Sequence, residues 1–181
     1  SIVGTLIMKV IVRPAVQQDT EAMCQVINPL IEAGNSTARS TLFDSSRMWH
    51  DVIATPLGLS CCVATVGHKI LGFQSLDLAT PPGAHSPAGR WGSIASFVSA
   101  GAQGWGLGQA LFDHTKFQAI AARLDFIDAT IRADNVSGLR YYTGLVFVDY
   151  NRVPNKPLAD GRKIDRIQKR FDISLARAAF G

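Results

Sequence analysis

The sequence predicts an α/β domain: a mixed, twisted sheet of seven strands with helices on both faces. Three observations predict it. Short apolar or alternating runs bounded by Gly, Pro and Asn recur along the chain, and two of them meet at Gly67-His68 as a hairpin. Another run leads through a helix-length segment into a further strand, a βαβ crossover that places two strands parallel. Hairpins combined with one crossover give a mixed sheet, and no repeat, low-complexity block or long linker divides it.

Taken in order, residues 9–15 (KVIVRPA) alternate and stop at a proline, as a first strand does. Asp19 or Thr20 caps a helix whose apolar stripe is Met23, Val26, Ile27, Leu30 and Ile31, with Pro29 expected to kink it after Asn28. Residues 33–40 lack periodicity and read as a connection. Ser45 or Ser46 then caps a short helix carrying Met48, Trp49, Val52 and Ile53. SCCVATV and ILGFQSLDLA form the hairpin, and residues 80–90, with three prolines and two glycines, form a loop. The fourth strand is 91–99, followed by AGAQGWG and a helix with inward positions Leu107, Leu111, His114, Ile120, Ala121 and Leu124. FIDATI (126–131) is a strand, NVSGLRYYTG a helix and FVDYN a strand, before a loop over 152–161. In the last strand, RKIDRIQKRFDI, the alternating Arg162, Lys163, Asp165, Arg166, Lys169 and Arg170 read as the solvated face of an edge strand.

Composition narrows the function classes. With 181 residues, 47% hydrophobic and 18% charged, the chain fits one globular domain, 8–181, behind a tag remnant or extension at 1–7. No apolar run approaches the roughly 18 residues of a membrane span, so no membrane partner is expected. Cys24, Cys61 and Cys62 show neither a disulfide framework nor metal-ligand spacing, which reads as a reduced, cytoplasmic protein without a metal. Asp160, Asp165 and Asp172 interrupt the basic residues near the end, and no aromatic pattern accompanies them, which argues against nucleic acid.

The chemistry-bearing stretch is QGWGLGQALF, residues 103–112, with glycines entering a helix they disfavour. A dinucleotide fingerprint fails because its third glycine falls on Gln109, and a P-loop fails for want of a lysine. What fits is Gln103 followed by Gly106 and Gly108. Bare amides at a helix N-terminus favour an anion such as a pyrophosphate, and Gln103 can add a side-chain donor. Taken alone, a tight turn without a ligand stays open.

Together with IRADNVSGLRYYTGLVFVDY (131–150), this stretch resembles the GNAT superfamily of acyl-CoA-dependent N-acyltransferases, in which a strand ends in N-x-x-a-x-x-x-Y-x-x-x-G-F. Asn135, Tyr142 and Phe147 fill those places, the element order agrees over nearly the whole chain, and the first 60 residues look like the phosphinothricin or L-amino-acid N-acetyltransferase branch. The resemblance implies a sheet splayed between strands 4 and 5. Main-chain groups of Ser96, Phe97 and Val98 would then pair with the pantetheine arm. Gln103, Gly104, Trp105, Gly106, Leu107 and Gly108 would cradle the pyrophosphate, and Asn135, with Ser137 beside it, would hold the arm. The Val98 amide would serve as oxyanion donor and Tyr142 as the acid that protonates the departing thiolate.

The sequence departs from the pattern twice. Ser93 stands where the branch carries a glutamate that deprotonates the amine, which leaves Asp44, His50 or His85 as substitutes, each with a plainer structural reading. Val146 stands where the family has glycine, so that either the turn is reshaped or Gly144 serves in a shifted register. The expectation is an acetyl-CoA-dependent N-acetyltransferase acting on a small primary amine, amino acid or amino-acid-like, in a homodimer. The alternative is an acyl-CoA-sensing module without turnover.

Overall fold

A computed structural model describes residues 9–34, 37, 41–80 and 86–180, without the side chains of 179 and 180. The extension expected at 1–7, His85 and parts of the connections at 33–40 and 80–90 lie outside the described residues. The elements are β1 (Val10–Pro14), α1 (Thr20–Ala33), α2 (Ser45–Met48), β2 (Gly58–Val66), β3 (Lys69–Ala79), β4 (Trp91–Val98), α3 (Leu107–Ala121), β5 (Phe126–Arg132), α4 (Val136–Gly144), β6 (Val148–Pro157), β7 (Lys163–Asp172) and α5 (Ile173–Phe180).

The seven strands form one sheet in the order β1-β2-β3-β4-β5-β7-β6. Every pairing is antiparallel except β4 with β5. That parallel pairing covers only Trp91↔Phe126, Gly92↔Ile127 and Ser93↔Asp128, although β4 runs on to Val98 and β5 to Arg132. Beyond Ser93 and Asp128 the two strands part, as the resemblance implies.

Cores on both faces hold the wedge open. On one face α1 and α2 bury Met23, Ile27 and Met48 against Phe73 and Phe97, whose rings lie 5.0 Å apart. On the other, α3, α4 and α5 bury Phe112, Tyr142, Phe147 and Ile173 against Leu76, Ile94 and Ile127. Trp91, fully buried at the closed end of the wedge, stacks on Phe126 at 4.8 Å.

Several sequence expectations are corrected. The basic run is no edge strand: β7 lies between β5 and β6, and β6 is the edge. Edge position explains how β6 carries Pro154 and Pro157, and how it takes up residues 152–157 of the expected loop. Its charges are paired locally, Arg162 with Asp160, Arg152 with Asp165 and Lys169 with Asp149. The chain ends in a helix, not a strand, because the Asp172 carboxylate accepts the Ser174 amide at 2.9 Å and turns the backbone at Ile173. Asp44, not Ser45 or Ser46, is the N-cap of α2, accepting the Arg47 amide at 2.8 Å. Asp19 begins α1, but its carboxylate binds Arg13 at 2.7 and 2.9 Å, which holds it below the usual carboxylate range. Helix α1 continues through Pro29 to Ala33, and the Asn28 side chain braces the backbone of Phe43. In α3 the buried positions are Leu107, Leu111, Phe112, Thr115 and Ala119, so the inward face is rotated away from His114 and Ala121.

The end of α4 settles the question at Val146. The Val146 amide donates to Thr143 O and the Phe147 amide to Tyr142 O, a Schellman closure that needs a left-handed residue at Val146. Val146 adopts φ 63° there, and Gly144 does not take its place. This closure lays Phe147 against Tyr142, ring centroids 5.1 Å apart. A β-branched residue is strained in that conformation, and Val146 is 65% exposed. Val146→Gly is therefore expected to stabilise the chain by about 1 kcal/mol, read as a higher urea midpoint at unchanged m.

Candidate active site

The wedge exists because a parallel strand pair must be joined by a crossover, and the crossover here begins with a turn that carries β4 away from β5. After Val98 a short 3-10 turn, Ala100–Ala102, leads to Gln103 and then to Gly104 at φ 82° and Gly106 at φ 83°. A side chain at either glycine would meet nothing within 4 Å, so the glycines serve the left-handed backbone and leave open space above it. Gly106 is the N-cap of α3 and supplies no side chain, which leaves the first amides of a 15-residue helix facing outward.

Gly108 has a different reason. A Cβ there would sit 2.6 Å from Tyr141 Cε1, so glycine makes room for a ring rather than for a ligand. The Tyr141 hydroxyl donates to Gly108 O at 2.7 Å and pins the first turn of α3 to α4. It also accepts from Gln74 Nε2 at 3.0 Å. The same amide donates to Ser96 Oγ at 2.7 Å, and Ser96 Oγ lies 2.8 Å from the Tyr142 hydroxyl. A single buried network thus runs from the glycine turn to Tyr142. Burial pushes Tyr141 up to about 12 and Tyr142 higher still, so both phenols keep their protons through the neutral range.

Two cavities adjoin in the wedge. The first, about 210 Å³, is lined by Ser96, Phe97, Val98, Gln103, Gly104, Gly106, Leu107, Gly108, Asn135 and Ser137, together with Leu30, Ala102, Gly138 and Tyr141. The structure therefore brings together ten of the eleven residues singled out in the sequence for a cofactor. Trp105 does not join them; it stands in the turn 41% exposed. The amide of Ser99 donates to Leu71 O on β3 at 2.8 Å, so by strand alternation the amides of Val98 and Ser96 are directed at the other edge of β4, into the wedge. Asn135 lines both cavities, and its Oδ1 caps α4 by accepting the Gly138 amide at 3.0 Å.

The second cavity, about 180 Å³, lies where β4 and β5 diverge and is lined by Ala95, Ser96, Thr130, Arg132, Tyr142 and Arg166 among others. Tyr142 faces this side, whereas its neighbour Tyr141 lines the first cavity. Arg132 is fully engaged, donating to Asp134 and to the carbonyls of Gly34 and Thr37. Arg166, opposite it on β7, has a buried Nε with no hydrogen-bond partner among the described residues. Sequence reasoning placed Arg166 on a solvated edge and missed Gln74, Thr130 and Asp128. Their one signal was polarity inside strands otherwise apolar.

Of the three substitutes suggested for the glutamate, His85 lies outside the described residues and the other two stand away from this cavity. Asp44 caps α2, and His50 is exposed; neither lines either cavity. Ser93 is exposed on β4 in register with Asp77 of β3 and Asp128 of β5. Among the described residues no cluster of three or more His, Cys, Asp or Glu is placed to hold a metal, and no helix is long and apolar enough to cross a membrane.

A mixed seven-stranded sheet parted at its one parallel pair, with an amide-lined turn at the mouth, is the fold of the GNAT-type N-acetyltransferases. Solved structures bear this out. An N-acetyltransferase from Staphylococcus aureus Mu50 superposes with a TM-score of 0.78 at 17% identity, covering 91% of this chain and 99% of that one. A GNAT superfamily phosphinothricin acetyltransferase from Sinorhizobium meliloti, in complex with AcCoA, gives 0.76 at 17% identity over 91% and 89%. A ribosomal-protein-alanine N-acetyltransferase from Brucella melitensis gives 0.72 at 18% identity over 90% and 99%. No protein-family model matches the chain, and curated proteins yield no significant match.

Proposed function

We propose that the chain is an acetyl-CoA-dependent N-acetyltransferase whose acceptor is a small primary amine bearing an anionic group, as an amino acid or amino-acid-like compound does. The carrying observation is the continuity of the wedge with the glycine turn: outward amides of β4, the turn and α3 line one crevice that opens into a second cavity. Gly104 and Gly106 leave room above their amides, which suits a pyrophosphate, and the Ser96 and Val98 amides suit the amide-bearing arm behind it. The cosubstrate supplies an activated acetyl thioester. In this reading the Val98 amide stabilises charge on the carbonyl oxygen and Tyr142 donates toward sulfur; Val98 lining the first cavity and Tyr142 the second supports it.

Arg166 supports the acceptor class. A guanidinium without a counter-charge among the described residues, in a part-buried cavity, favours a carboxylate or phosphinate. Thiol release across a panel of amines, with acetyl-CoA binding followed by calorimetry, tests the activity. Silence across the panel together with no heat of binding overturns it. Arg166→Gln is expected to raise KM for anionic amines about 10-fold or more and leave neutral amines nearly unchanged, measured as paired kcat/KM values.

A further inference from the structure

The geometry points to Asp128, acting through the Thr130 hydroxyl, as the group that takes the acceptor's proton in place of the glutamate that Ser93 replaces; this rests on the acetyl-transfer reading above. Ser93 and Asp128 are the last residues paired before β4 and β5 part, so the carboxylate stands one strand over from the vacated position and on the same face of the sheet. Asp128 is 6% exposed and does not itself line the acceptor cavity. Thr130, two residues along the same face of β5, does line it, and its hydroxyl donates to Asp128 Oδ2 at 2.7 Å. Gln168 Nε2 donates to the same hydroxyl at 3.2 Å, which fixes Thr130 with its proton toward the carboxylate and a lone pair left for the cavity.

Two protons must leave the acceptor nitrogen. The first passes from the ammonium to Thr130 Oγ1 as the hydroxyl's own proton moves to Asp128 Oδ2. The freed lone pair forms the C–N bond while the C–S bond breaks. The second nitrogen proton ends on sulfur, with the Tyr142 hydroxyl as donor and recipient in the exchange, and Asp128 afterwards returns its proton to water. Atoms and charge balance without a further reactant.

The groups facing Asp128 are consistent with this role. From β6, Tyr150 donates to Oδ1; from β7, Arg170 lies over the Tyr150 ring at 5.7 Å rather than in an ion pair with the carboxylate. Asp77 faces the site from β3 across Ser93, Arg132 on β5 is neutralised by Asp134, and Tyr142 approaches from α4. Burial raises the Asp128 carboxyl above its ordinary value, against the two hydroxyl donors, which brings a carboxylate closer to the range a base needs.

The test is the pH dependence of kcat/KM in Asp128→Asn, Thr130→Val and Thr130→Ser, with Asp77→Asn beside them. Asp128→Asn and Thr130→Val are expected to lose about 30-fold at pH 7 and to recover within about 3-fold of wild type near pH 9.5, where the amine arrives neutral. Thr130→Ser should keep the wild-type profile, and so should Asp77→Asn. A carboxyl-carbon NMR titration, independent of turnover, should show Asp128 titrating above the ordinary range and higher again in Thr130→Val. An unchanged profile in Asp128→Asn, or a loss equal at every pH, overturns the inference while the acetyl-transfer reading stands. A changed profile in Asp77→Asn alone moves the base to β3. A wild-type chain that releases no thiol removes both.

Discussion

Tyr142→Phe is expected to lower kcat by about 100-fold or more while leaving the dissociation constant of acetyl-CoA within about twofold. The split follows from position. Tyr142 lines the second cavity, proposed for the acceptor, and not the crevice with the glycine turn, so removal of its oxygen takes nothing from the surface proposed to hold the cofactor. The variant should fold, because the ring stays packed on Phe147 and Ser96 still accepts from Gln74. Tyr141→Phe should give the opposite pattern: its hydroxyl fixes Gly108 O and it lines the crevice proposed for the cofactor, so the expected effect is a raised KM for acetyl-CoA at nearly constant kcat. Single-turnover rates with calorimetry on both variants check the pair. If the phenotypes exchange places, the acid is Tyr141. A wild-type chain that binds acetyl-CoA but has no rate to lose is the sensing module.

Gly106→Val is expected to weaken acetyl-CoA binding by about 10- to 100-fold, the equivalent of the few kcal/mol that a β-branched residue costs in the left-handed region. At φ 83° the new side chain meets no neighbour, so the strain is all in the backbone, and the turn must move away from the amide orientation that faces the crevice. Because the turn lies at the surface, thermal stability should change far less than affinity does. Gly108→Val fails for another cause, since its Cβ would strike the Tyr141 ring and break the link to α4. Calorimetry and melting curves on the two variants distinguish the causes: loss of affinity alone for Gly106→Val, loss of affinity with stability for Gly108→Val.

What the sequence determined by itself was whatever depends on residues near one another along the chain. The alternation in β2 and β3, the Gly67-His68 turn, the stripe of α1 and the glycine turn before α3 are local patterns, and the spacing from Asn135 to Tyr142 puts Asn135 at the start of one helix and Tyr142 about two turns further on. Helix and strand periods, turn geometry and exposed helix-end amides follow from such short-range physics. The start of α5 was also legible, in the Asp172 cap, but β-branched Ile173 read as strand.

Only the tertiary structure decided what depends on which strands become neighbours. The insertion of β7 between β5 and β6 turned Arg166 from a surface charge into a cavity cation and put Gln168 beside Thr130. The register Asp77↔Ser93↔Asp128 set two carboxylates on either side of Ser93, although their residues lie far apart in the chain. The packing of Tyr141 on Gly108 gave that glycine a reason no phosphate motif contains. Strand order and register are chosen by the burial of the whole sheet at once, and no stretch of a single strand encodes them.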